Sequence, residues 1–254
     1  MSTLSSLINK IKNSLHSVGG RLDDGTITGH EIGERIRIYD LVCPIRYDIL
    51  VRVEFIRFLV ENDYLSSNDI DVILEAPAAQ RYRTWFKEIP FRGRYPEYYD
   101  DDTHIREPLY LRIRKTQELW KSMSSKGFDH TQPIKLRSGE LVHSINEKTF
   151  KTRFYAGDGC HRIACLLVMG REWLEPEEFI VALGKELHPR DNTAILLDKL
   201  PISMSDYLSF ISRGYCGGCA LVSPDEALAY VKVHSTDRLT ELKNVFRHDL
   251  KHLK

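Results

Sequence analysis

The chain has 254 residues, and its 36 Lys+Arg balance its 36 Asp+Glu. No global field therefore directs it to nucleic acid or an anionic membrane, while its length suffices to bury a sizeable core. No long apolar run opens the sequence, which predicts neither a signal peptide nor a membrane span. The five cysteines, Cys43, Cys160, Cys165, Cys216 and Cys219, are scattered rather than framed as disulfides, so the expectation is a soluble cytoplasmic protein.

From the N-terminus, Leu4, Leu7, Ile8, Ile11 and Leu15 share a helical face, as in a terminal helix packed on its own domain or one lying on a membrane or partner. Gly19-Gly20 and Asp23-Asp24-Gly25 break it, and the segment to about Asp40 has turn character. Pro44 is expected to open a helix with Ile49, Val53, Ile56 and Val60 on one face. Ser67-Asn68-Asp69 caps a short helix, and 78–89 reads as another, with Tyr82, Trp85 and Phe86 apolar and Arg81 and Arg83 solvated. In 90–102 tyrosines and arginines interleave. Such a stretch is either an irregular loop packing its tyrosines on the core or a surface that stacks bases. Its three consecutive aspartates suit Mg²⁺ or simple solvation.

Leu109-Tyr110-Leu111 reads as a short strand, and Thr116 to Lys126 as a helix stopped by Gly127. Gln132 to Leu136 and Leu141 to Ile145 read as strands about a Ser138-Gly139-Glu140 turn. Next comes the most informative stretch, 153–170: an aromatic strand, Gly157-Asp158-Gly159, and a run with Ile163, Leu166, Leu167 and Met169 at helical spacing. Glycines at 157 and 159 permit positive φ and close approach of another molecule. A helix starting near Cys160 aims its free amides and positive dipole end out of the turn. His161 and Arg162 in its first turn oppose that dipole unless an anion neutralises them, so the stretch reads as a phosphate site; as a bare Gly-X-Gly it could equally be only a connection. Phe179 to Leu183 is a further strand.

The series Leu119–Gly127, Gln132-Pro133-Ile134-Lys135-Leu136, Asp158-Gly159-Cys160-His161-Arg162-Ile163-Ala164, Met169-Gly170 and strand 179–183 resembles the core of the ParB/sulfiredoxin superfamily. The resemblance covers about 105–185. It implies an α+β fold, a small mixed-sheet ParB/sulfiredoxin-like core at 93–190, flanked by helical regions at 1–92 and 191–254. Three functions follow from its branches. The free-serine-kinase branch implies an ATP-dependent phosphotransferase acting on a small hydroxylated metabolite. Gly157, Gly159, Cys160, His161 and Arg162 would then cradle phosphates, Glu107 would act as base, and Asp158 as base or Mg²⁺ partner. The sulfiredoxin branch implies a reductase using Cys160, although Asp158 stands where that enzyme has glycine. The partitioning-protein branch implies a CTP- or ATP-gated module acting on DNA, but 201–254 shows no convincing helix-turn-helix.

After the core, Arg190 in the polar run 188–193 is a candidate phosphate clamp, while Asp191, Asn192 or Thr193 can cap the helix through Leu197. Met204 to Ile211 is helical. Cys216-Gly217-Gly218-Cys219 is half a zinc knuckle with no second half at the expected spacing. Ser223-Pro224-Asp225-Glu226 is a capping box, and a last amphipathic helix is expected over about 237–253.

Overall fold

The computed structural model describes residues 26–138, 141–143, 148–150, 154–183 and 191–253. The amphipathic stretch 4–15, the turn at 139–140 and Arg190 lie outside the described residues.

A mixed sheet sits at the centre, built from β1 (Thr26–Thr28), β3 (Ile134–Ser138), β6 (Phe154–Ala156) and β8 (Phe179–Leu183), in the order β1-β8-β3-β6. β3 and β8 run parallel, and the outer pairings are antiparallel. The register lines up Ile27, Val181, Leu136 and Ala156 across the sheet. All four are buried, as are Ile134 and Phe179, so period-two alternation sends Lys135 and Arg137 to the exposed face. Two-stranded pairs are formed by β2 (Ile36–Arg37) with β7 (Trp173–Leu174), and by β4 (Leu141–His143) with β5 (Lys148–Phe150).

The N-terminal helices are α1 (Gly29–Ile32), α2 (Ile38–Val42), α3 (Tyr47–Glu61), α4 (Ile70–Leu74) and α5 (Pro77–Phe86). The segment to about Asp40, expected to have turn character, instead carries four short elements between Thr26 and Val42. Thr28 and Glu31 close a capping box on α1. Pro44 does not open a helix; α3 begins at Tyr47. The aromatic and arginine segment is not an irregular loop but a run of helical turns over Lys87–Phe91, Arg92–Arg94 and Pro96–Tyr98. Arg81 is ion-paired with Glu54 rather than merely solvated.

The strand expected at Leu109–Leu111 is instead part of α6 (Asp102–Lys126). Asp101 caps its start by accepting the Thr103 N–H at 2.9 Å. Ile105, Leu109, Ile113, Thr116 and Met123 are buried along it. That unbroken stripe carries the helix past Pro108, because tertiary burial outweighs one lost backbone bond. α7 (Cys160–Val168) follows β6 and packs chiefly on α3. The C-terminal helices are α8 (Asn192–Lys199), α9 (Met204–Tyr215), α10 (Pro224–His234) and α11 (Leu239–Asp249). Asp191 caps α8 through the Ala194 N–H at 3.1 Å. Ser223 caps α10, but Glu226 accepts from Val222 N–H rather than from the cap residue.

Buried side chains from Ile27 through Phe246 belong to one continuous hydrophobic cluster. The fold is mixed α+β, and among the described residues no helix is long and apolar enough to cross a membrane.

Candidate anion site at the β6–α7 turn

β6 delivers the chain to Gly157, and two backbone bonds then fix the turn. The Lys135 carbonyl accepts both Gly157 N–H at 2.9 Å and Asp158 N–H at 3.0 Å. Gly159 sits at φ +81°, the left-handed conformation that glycine adopts without strain. Gly157 does not have positive φ. Its smallness matters because a Cβ there would stand 3.1 Å from both Lys135 O and Arg137 Cγ. Asp158 is exposed, and its Oδ1 accepts the Gly159 N–H at 2.6 Å.

Beyond Gly159 the first-turn amides of α7, on Cys160, His161 and Arg162, have no partner among the described residues. Two guanidinium groups flank them. Arg137 Nε lies 3.2 Å from the Cβ position of Gly157, and Arg162 Nη2 lies 3.0 Å from that of Gly159. Neither arginine has a carboxylate partner among the described residues, and Arg162 Nη1 is a buried donor left without a hydrogen bond. Free amides, a helix N-terminus and unneutralised guanidiniums make a region of positive potential suited to an anion.

A third guanidinium supports the turn from beneath. Arg46, just before α3, donates to the Ala156 carbonyl, to Cys160 Sγ at 2.8 Å and to both Asp48 oxygens at 2.8 and 3.1 Å. Asp48 is fully buried and also accepts from Arg52 at 2.5 Å. Burial would raise the Asp48 carboxyl, but Arg46 and Arg52 outweigh it and hold it well below the usual carboxylate range. Arg52 in turn lies 3.9 Å over the Trp85 ring. Sequence reasoning missed this support altogether, since Arg46 is 114 positions from Cys160 and nothing local marks the pairing.

His161 is placed differently from the expectation that it faces a phosphate beside Arg162. Its Nε2 lies 2.8 Å from Tyr82 Oη, and its ring meets Trp85 edge-on at 5.5 Å. Successive helical residues point about 100° apart, so His161 turns to Tyr82 and Trp85 while Arg162 stays beside Gly159. His161 shares its side of α7 with the buried Ala164 and Cys165, a spacing visible in the sequence. Thr116 Oγ1 donates to the Arg112 carbonyl at 2.9 Å, so it accepts from Tyr82. Tyr82, whose phenol burial pushes up to about 12, therefore accepts from His161 Nε2–H. The network assigns the Nε2–H tautomer and leaves Nδ1 as a lone-pair acceptor.

Desolvation, aided by Arg52 and Arg112, holds the His161 pKa well below its ordinary value. The unfolded chain, at about 6.5, then binds the proton more readily than the fold does. Stability is complete above that value and declines as the pH falls. The melting temperature should drop from about pH 7.5 to about pH 5.5, and drop less in His161→Gln. Asp48 does not confuse the measurement, because its contribution is lost only below about pH 4. Equal slopes for the two proteins would exclude His161 as the cause.

The other candidates lie apart from the turn. Glu107 is exposed on α6, in a hollow lined by Phe91, Tyr95, Tyr98 and His104. It precedes Thr116 by nine residues, about 13 Å along the helix axis. Cys216 is buried, with its thiol pushed up to about 11 chiefly by burial, whereas Cys219 is exposed. Among the described residues, the group whose potential metal-ligand atoms lie mutually close is Asp191, His248 and Asp249. It contains neither these cysteines nor Asp158.

Compared with protein-family models, with curated proteins and with solved structures, the chain matches none.

Proposed function

We propose that the β6–α7 turn holds the phosphates of a nucleotide, and that the chain is an ATP-dependent phosphotransferase acting on a small hydroxylated metabolite. The observation that carries the reading is the buried, unpartnered Arg162 Nη1 beside three free helix-start amides. A buried donor without an acceptor costs about 1–3 kcal/mol, and a phosphate oxygen would remove that cost.

In the reaction the acceptor hydroxyl oxygen bonds to the γ-phosphorus as the bond to the β-bridging oxygen breaks, and the hydroxyl proton passes to a base. Asp158, whose Oδ1 already accepts the Gly159 N–H, is the base that the turn itself supplies; His161 is turned to Tyr82 and Trp85, and Glu107 would need its segment brought to the turn. The turn contributes one carboxylate, Asp158, so Mg²⁺ would take most of its oxygen ligands from the nucleotide and water. The ParB/sulfiredoxin resemblance supports this class; CTP in place of ATP, as in a gated module, uses the same amides.

A thiol chemistry is the second reading, favoured by the 2.8 Å contact of Arg46 with Cys160 Sγ. The guanidinium would hold the sulfur in place at the start of α7. Cys160→Ser separates the two readings, abolishing a Cys160-dependent reduction while sparing phosphoryl transfer.

Thermal shift with ATP, ADP, CTP and GTP, each with and without Mg²⁺, is the first test. A nucleotide at 100 Kd should add about 2.7 kcal/mol of stability, and Arg162→Ala should remove the shift. Absence of a shift with every nucleotide would sink the phosphotransferase and gated-module readings together.

A further inference from the structure

A second site lies against α3, on the side away from the turn. A cavity of about 420 Å³ opens between α3, α9 and the segment after α8. Tyr47, Leu50, Glu54 and Arg57 line it, at the three- and four-residue spacings that place side chains on one helical face. Tyr39, Arg81, Pro201, Asp206, Phe210 and Arg213 line it from other elements.

The charges on this wall are unequal. Arg81 is taken up by Glu54, and Asp206 accepts the Ser203 hydroxyl at 2.7 Å. Arg57 has no carboxylate partner among the described residues. Among the described residues Arg213 donates only to Tyr39 Oη, and it lies 5.2 Å over that ring. Because Tyr39 accepts from Arg213, its own O–H remains to donate. Tyr47 Oη has no partner among the described residues, and its ring is held edge-on to Phe210 at 5.0 Å. Two guanidiniums without a carboxylate partner among the described residues and two phenols thus line one cavity with an aromatic and aliphatic wall.

We propose that this cavity binds a small monocarboxylic acid with an apolar or aromatic body. The carboxylate would be gripped by Arg57 and Arg213 with the Tyr39 and Tyr47 hydroxyls, and the body packed on Leu50, Pro201 and Phe210. The class follows from the donors and from the two acids. Arginine forks match a planar carboxylate, while Glu54 and Asp206 in the same wall disfavour a doubly charged phosphate. The volume falls within the usual range for small-molecule sites. The site is independent of the nucleotide reading.

Ligand-observed saturation-transfer NMR on the full chain, using phenylacetate, phenylacetamide and phenyl phosphate as probes, tests it. Phenylacetate should receive saturation and bind about tenfold more tightly than the amide, because the amide carries no charge for the guanidiniums. Arg213→Gln and Arg57→Gln should each weaken phenylacetate several-fold. Both side chains are exposed, so unchanged melting curves will show that the variants fold. Equal binding of acid and amide, tighter binding of phenyl phosphate, undiminished binding by both variants, or no saturation of any probe would overturn the proposal.

Discussion

Asp48→Ala is expected to cost about 3–5 kcal/mol of stability, the usual result of removing one partner from a buried ion pair. Asp48 is fully buried and is the one carboxylate that Arg46 and Arg52 share. Its loss leaves two largely buried guanidiniums unneutralised. The bond that Arg52 Nη1 donates to the backbone carbonyl of residue 48 at 2.7 Å would survive, but a backbone dipole does not replace a charge. At about 2–4 °C per kcal/mol for a chain of this size, the melting temperature should fall by roughly 6–20 °C. Chemical denaturation would give the free energy directly. A loss below about 1 kcal/mol would mean that water reaches the pair and screens it. Replacing all three residues by apolar ones of similar length should recover much of the loss, since no buried charge would remain. The triple variant should nonetheless loosen the β6–α7 turn, because Arg46 also holds the Ala156 carbonyl and Cys160.

Gly214→Ala should be nearly as damaging for a different physical reason. Gly214 lies inside α9, where glycine is ordinarily inferior to alanine, yet an added Cβ would stand 2.4 Å from Cys43 Cβ and 2.6 Å from Cys43 Sγ. Cys43 is itself buried and short, so it has no flexible end to swing aside. Either α9 or the end of α2 must shift, and overpacking of this kind costs about 1–3 kcal/mol or more. Cys43→Gly should relieve the clash, and the double-mutant cycle should return a favourable coupling of about 1 kcal/mol or more. Additive effects would show that the two residues do not meet. A stabilised single variant would mean that helix propensity outweighs the contact.

Much of the fold was legible because its local signals agree. The aromatic run, Gly-Asp-Gly and the helical spacing after it gave β6, the turn and α7, and Asp69, Asp191, Gly127 and Ser223 marked helix ends in the expected ways. Failures came where tertiary contacts decided. Leu109-Tyr110-Leu111 suggested a strand, but the buried stripe from Ile105 to Met123 makes it part of one long helix that runs through Pro108. Thr26-Ile27-Thr28 is too short to read as a strand alone and becomes one only by pairing with Phe179–Leu183. At the candidate site the glycines and Arg162 were visible, whereas Arg46, Asp48 and Tyr82 enter from more than 75 residues away. The turn of His161 toward Tyr82 was legible too, since adjacent helical residues leave the helix in different directions.

The doubled bond at the Lys135 carbonyl has a kinetic meaning. With Gly157 and Asp158 both tied to it, the loop geometry exists before any ligand arrives, and little backbone entropy is left to lose on binding. A phosphate entering there would meet donors already in position, so association would be governed by diffusional encounter rather than by a slow rearrangement. Affinity among related ligands would then differ mainly in how long each one stays.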